Sequence, residues 1–173
     1  KLDDGVNCGA GFGSGGTVTT SFASYNDFAN AVAIQPDGKI IATGVSLQVT
    51  HQTFALARYC ADGSLDDGVH CGPGGFGNGG RVITAIGFGF GTGFATGIVV
   101  LADGKIVVAG FAGANFALAR YCADGLLDNG VNCGQGGFGG GGIVTTSFAG
   151  GSAVARGLAL QSDGKLLVAG SVG

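Results

Sequence analysis

The feature that most constrains this chain is repetition. The segment FALARYCADG stands at 54–63 and returns unchanged at 116–125. It opens two longer copies, RYCADGSLDDGVHCGPGGFG at 58–77 and RYCADGLLDNGVNCGQGGFG at 120–139. The turn sequences PDGK, ADGK and SDGK place Asp37, Asp103 and Asp163 at matching points. The units run 1–63, 64–125 and 126–173, one repeat array over 1–173. A unit repeated at this spacing cannot bury an apolar face alone, so it stacks on its neighbours.

Each unit reads as short strands. The first is TVTTSF (17–22), RVITAI (81–86) or IVTTSF (143–148), and the second is ANAVAIQ (29–35), ATGIVVL (95–101) or ARGLALQ (155–161). A two-residue Asp-Gly hairpin turn is expected next. The third strand is KIIATG (39–44), KIVVAG (105–110) or KLLVAG (165–170), and the fourth is FALARY at 54–59 and 116–121. No stretch carries a sustained helical period. All eleven acidic residues are Asp and 39 residues are Gly, a composition for turns rather than helices. The third strands are apolar on both faces, as in a sheet covered on both sides. The expected fold is therefore all-β, with four-stranded antiparallel blades of a β-propeller-like array. A β-trefoil is the alternative, but its twelfth strand is absent and these repeats are longer than it needs.

The motifs FALARYCADGSLDDG, GFGNGG and IQPDGKI resemble the delta-60 repeat family of bacterial surface and secreted proteins. The resemblance covers nearly the whole chain and implies a propeller-like fold and an exported, bacterial setting. This chain departs from the family pattern by placing cysteines on either side of the DGSLD turn.

Cys60 with Cys71, and Cys122 with Cys133, would each close a twelve-residue, Gly-rich loop that holds few large apolar groups. Two such disulfides imply an oxidising compartment, extracellular or at a cell surface. A zinc site is disfavoured, because no close Cys pair or His cluster occurs. Cys8 is left unpaired or inter-chain, since by the repeat pattern its partner would lie before Lys1. The expectation is a segment of a longer array, or a subunit that completes its blade with another chain.

GFGSGG (11–16), GFGNGG (75–80) and GFGGGG (137–142) satisfy a dinucleotide-loop pattern. That site needs a helix after the loop, whereas here a strand follows, so a tight turn is expected. DGSLD and DGLLD resemble half a calcium loop, with Asp62, Asp66, Asp124 and Asp128 as candidate ligands. The positions that should add carboxylates hold Arg58 and Cys60, or Arg120 and Cys122. Turn capping is the expected role, and no cofactor is expected. Arg58 and Arg120, at strand ends, are expected to pair with a turn Asp.

His51 and His70 are the only histidines and there is no Glu, which leaves little for acid–base or nucleophilic catalysis. No basic run exists and the net charge is −3, so nucleic acid is not an expected partner. No apolar run is long enough for a membrane span. The insertion IGFGFGTGF (86–94) carries Phe88, Phe90 and Phe94, an expected partner contact with His51 in the 45–53 loop. The expectation is a non-enzymatic extracellular structural or interaction protein that self-associates as a ring or filament or forms part of a larger surface protein. A propeller platform for a glycan or protein ligand is the alternative, and a hydrolase on that scaffold the minor one.

Overall fold

The computed structural model describes residues 2–6, 11–22, 26–86 and 92–173. Among these residues lie ten strands and no helix. Strands β1 (Asp27–Ile34), β2 (Ile40–Leu47), β3 (Gln52–Tyr59) and β4 (Arg81–Thr84) form one sheet in chain order. Strands β5 (Gly93–Val100), β6 (Ile106–Ala112), β7 (Asn115–Tyr121) and β8 (Ile143–Thr146) form a second, built the same way. A third sheet holds β9 (Ala153–Leu160) and β10 (Leu166–Val172). All neighbours within a sheet are antiparallel.

The sheets begin one strand later than the sequence units do. RVIT at 81–84 and IVTT at 143–146 pair back onto β3 and β7, closing the outer edge of the preceding sheet. The stretch 17–22 is consequently no strand; Thr17 alone makes an isolated bridge, to Ser14. No strand among the described residues pairs with it, and a strand forms only where another lends it hydrogen bonds. The stretch nevertheless takes the seat on the first sheet that 81–86 takes on the second. Tyr59 donates its hydroxyl to Thr20 Oγ1 at 2.7 Å, as Tyr121 does to Thr84 Oγ1 at 2.8 Å. Gly13 N–H reaches Asp62 O at 2.8 Å, as Gly77 N–H reaches Asp124 O at 2.7 Å.

The hairpin turns hold three residues rather than two. Gln35 N–H bonds Lys39 O at 2.8 Å, and Gly38 N–H bonds Gln35 O at 2.9 Å. Only Gly38, at φ 84°, is left-handed, so the turn is the three-residue kind with Gly closing it, not a two-residue mirror turn. Asp37 Oδ1 accepts the Lys39 N–H at 3.1 Å, and Asp103 and Asp163 repeat this contact.

The core lies between stacked sheets. Ile41, Phe54 and Leu56 of the first sheet meet Ala95, Ile106, Val108 and Tyr121 of the second, all buried. On the other face of the second sheet, Val107, Ala109 and Leu118 meet Leu158, Leu166 and Val168 of the third. β5 lies against β1, β2 and β3, and β9 against β5, β6 and β7. The leading strand of each sheet thus presses on the sheet before it.

Candidate functional site

Two kinds of contact recur from sheet to sheet. The first is a bulge in each leading strand. Register slips between Ala29 and Ala31, and between Ala95 and Gly97, leaving Asn30 and Thr96 unpaired in the ladder. Asn30 Nδ2 donates to Ala95 O of the next sheet at 2.8 Å. Thr96 Oγ1 donates to Ala155 O of the next, also at 2.8 Å. Arg156 holds the same place in β9, opposite the slip between Ala169 and Gly170. Glycine in the neighbouring strand makes room for the bulge. A Cβ on Gly44 would stand 1.9 Å from Phe28 O, one on Gly110 1.8 Å from Phe94 O, and one on Gly170 2.1 Å from Val154 O.

The second contact is an ion cluster on the outer rim. Asp66 Oδ2 receives Arg58 Nε at 2.6 Å and Lys39 Nζ at 3.1 Å. In the next repeat Asp128 Oδ2 receives Arg120 Nε at 2.7 Å and Lys105 Nζ at 3.4 Å. Both carboxylates are buried, so removing one partner would strand a charge. The Arg58 guanidinium also lies 4.7 Å above the Phe76 ring, and that of Arg120 4.8 Å above Phe138. Burial alone would raise the Asp128 pKa, but the hydrogen bonds and charges of Arg120 and Lys105 outweigh it and hold the carboxyl below its ordinary value. Arg58 reaches further and donates Nη1–H to Ala123 O, across to the next repeat.

Each of the four aspartates named as calcium ligands accepts a protein donor through one oxygen, while Oδ1 of Asp66 and of Asp128 is buried without a hydrogen-bond partner. Asp62 Oδ1 accepts Ser64 N–H at 2.9 Å, and Asp124 Oδ1 accepts Leu126 N–H at 3.0 Å. Asp66 and Asp128 each face two cations, and among the described residues no cluster of three or more His, Cys, Asp or Glu converges. The expected Arg–Asp pairing is present in both full repeats.

Both cystines are formed, Cys60–Cys71 and Cys122–Cys133, each with a Cα–Cα distance of 5.4 Å. They suit an oxidising environment. Within the first loop, Asp67 accepts the His70 and Val69 N–H groups and pairs with the His70 ring at 2.8 Å, which lowers its pKa to about 2. Cys8, Phe88 and Phe90 lie outside the described residues.

Phe94 corrects the sequence reading. It belongs to β5, not to the loop before it, and stacks on Phe111 of β6 with centroids 5.1 Å apart. A strand position facing a cross-strand aromatic keeps it half-buried. His51 meets Thr50 Oγ1 through Nδ1 at 3.0 Å.

Sequence reasoning missed the bulge residues, because Asn30, Thr96 and Arg156 share a position but no chemistry. The recurring glycines Gly44, Gly110 and Gly170 were the signal that could have revealed them.

Four-stranded antiparallel sheets, stacked face to face and joined by contacts that repeat from one to the next, are the blades of a β-propeller. The comparison with known families agrees. Residues 35–68 and 101–130 match the family described as a domain of unknown function (DUF5122) beta-propeller. Each match runs from a hairpin turn through the Arg-Tyr-Cys strand into the clipped loop, and so contains the ion cluster. No curated protein matches the chain.

Proposed function

We propose that this protein is a non-enzymatic structural scaffold of the extracellular space or cell surface, whose disulfide-clipped blades associate with one another through their end faces. The observation that carries this reading is the contrast between inner and outer faces. Val107 is fully buried between sheets, whereas Leu167, at the same repeat position on the last sheet, is 57% exposed. On the first sheet Val32 and Ile34 are 64% and 72% exposed, while their counterparts Ile98 and Val100 pack into the inter-sheet core. The two end faces are different surfaces, so their contact is head-to-tail and yields a ring if it closes and a filament if it does not. The motif resemblance to delta-60 repeats supports the exported setting, as do the two cystines.

The test is sedimentation velocity under non-reducing conditions across a wide concentration range. Assemblies larger than 17 kDa that fall apart in a Val32→Asp variant are expected. A chain that stays monomeric at high concentration, with the parent and the variant alike, would remove the proposal.

A further inference from the structure

We propose that the cleft between the first and second blades, on the rim beside Gln35, binds a neutral polyhydroxyl ligand, one saccharide unit of a glycan. The inference adds a ligand site to the scaffold and stands independently of association through the end faces. Every residue it uses belongs to the two four-stranded sheets or to the loops between their strands.

The cleft holds about 410 Å³, within the range of small-molecule sites. The β1–β2 hairpin lines it with Gln35, Pro36, Asp37 and Lys39, and the loop after β7 lines it with Ala123 and Asp124. Arg58 bridges the two by donating to Ala123 O.

Three observations carry the assignment. First, Gln35 is only 8% exposed, yet its Oε1 is buried with no hydrogen-bond partner. A buried acceptor left unbonded is costly, so this position calls for a donor. The terminal torsion of a Gln side chain is broad and two-fold, so the amide can turn its oxygen toward a ligand in the cleft.

Second, packing does not require an amide at this point of the repeat. The matching places in the other units hold Leu101 and Gln161. Leu101 packs against the buried cluster of Val107, Ala109 and Leu118, so an apolar side chain fits between blades there. Gln161 is exposed, whereas Gln35 carries its amide into the interior.

Third, the charges around the cleft exclude an ion and suit hydroxyl groups. Lys39 Nζ and Arg58 Nε both meet Asp66 Oδ2, at 3.1 and 2.6 Å, and Lys39 Nζ lies 3.9 Å from Asp37 Oδ2. Asp124 is exposed and caps Leu126 N–H through Oδ1 alone. A metal ion would be repelled by Lys39 and Arg58, and an anion by Asp37 and Asp124. A hydroxyl carries no charge; it donates to Gln35 Oε1 or to a carboxylate and accepts from the Lys39 ammonium. A sugar ring presents several hydroxyls side by side, with C–H faces that suit the Pro36 ring and the Ala123 methyl group. A peptide unit brings a single N–H to the acceptors of Gln35, Asp37 and Asp124, so the sugar is the better match.

The experiment follows the amide resonances of the full chain, cystines intact, by NMR. The probes are the methyl glycosides of glucose, galactose, mannose and N-acetylglucosamine, each titrated separately. Saturable shifts at the Gln35 side-chain amide, Lys39, Gly104 and Asp124 are expected with at least one of them. Gln35→Leu, which installs the residue found at 101, should weaken that binding by about tenfold or more, the loss of one hydrogen bond and the exposure of none in its place. Its urea midpoint should equal or exceed the parent's, since an unbonded buried oxygen is removed. Asp124→Asn keeps the cap on Leu126 and should weaken binding by about threefold or more, so it decides the matter if Gln35→Leu fails to fold. No saturable shift with any glycoside, shifts confined to residues outside the cleft, or undiminished binding by the folded variants would each overturn the assignment. So would saturable shifts of the same resonances with N-methylacetamide and none with the glycosides, which would make the site one for peptide.

Discussion

Gly110→Ala tests the link between bulge and blade packing most directly. Gly110 sits in the middle of β6, opposite the bulge at Thr96. Its backbone is not left-handed, so the argument is one of space alone. An added Cβ would lie 1.8 Å from Phe94 O, which is backbone and cannot rotate away. Ordinary contact begins near 3.4 Å, so β5 and β6 must separate by well over an ångström at the centre of the blade. That separation breaks the local ladder bonds and pulls Thr96 from Ala155 O, at about 1 kcal/mol per lost bond. It also loosens Ala95 and Val108, which are fully buried between blades. The total expected is about 3–5 kcal/mol, a large part of the stability of a typical domain. The assay is equilibrium urea unfolding with both cystines intact. Gly157→Ala is the internal control. Gly157 lies in β9 with nothing within 4 Å of an added Cβ and no left-handed φ, so a change under about 0.5 kcal/mol is expected. A Gly110→Ala protein within about 1 kcal/mol of the parent would refute the claim that the bulge is sterically locked.

Three further outcomes follow from the rim. Replacing Cys60 and Cys71 together by Ser releases a loop of eleven-residue separation and should lower stability by about 3 kcal/mol, read from the shift in unfolding midpoint under oxidising conditions. Phe76→Ala removes a fully buried ring and the surface beneath the Arg58 guanidinium; a loss of about 3–5 kcal/mol is expected in the same assay. Acid titration should show stability falling below pH 4. The folded pKa values of Asp67 and Asp128 lie under the ordinary 3.8, so the unfolded chain binds more protons in that window. The contribution is fully present above 3.8 and disappears as pH drops through the folded values, near 2 for Asp67. Asp67→Asn should flatten the profile between pH 4 and about 2 without moving the midpoint at pH 7 by as much as the Cys replacement does.

Much of this molecule is written in short stretches of its sequence. Asp-Gly turns, β-branched runs and paired cysteines act over a few residues, and apart from 17–22 the strands, hairpins and clips lie along those stretches. The Arg–Asp pairing was legible for the same reason, since Arg58 and Asp66 lie eight residues apart around a single turn. What the repeat could not reveal is where one blade ends and the next begins. A period is the same wherever the count starts, and only the pairing of β4 with β3, and of β8 with β7, fixes the boundary. Those pairings join residues about 25–30 apart through backbone groups that every residue carries, so side-chain pattern does not encode them. The same holds for Phe94, whose place in a strand depends on Phe111 across the sheet. Asn30 and Thr96 are the clearest case. They differ in chemistry, and their common task, bonding a carbonyl on the next blade, exists only once the blades are stacked.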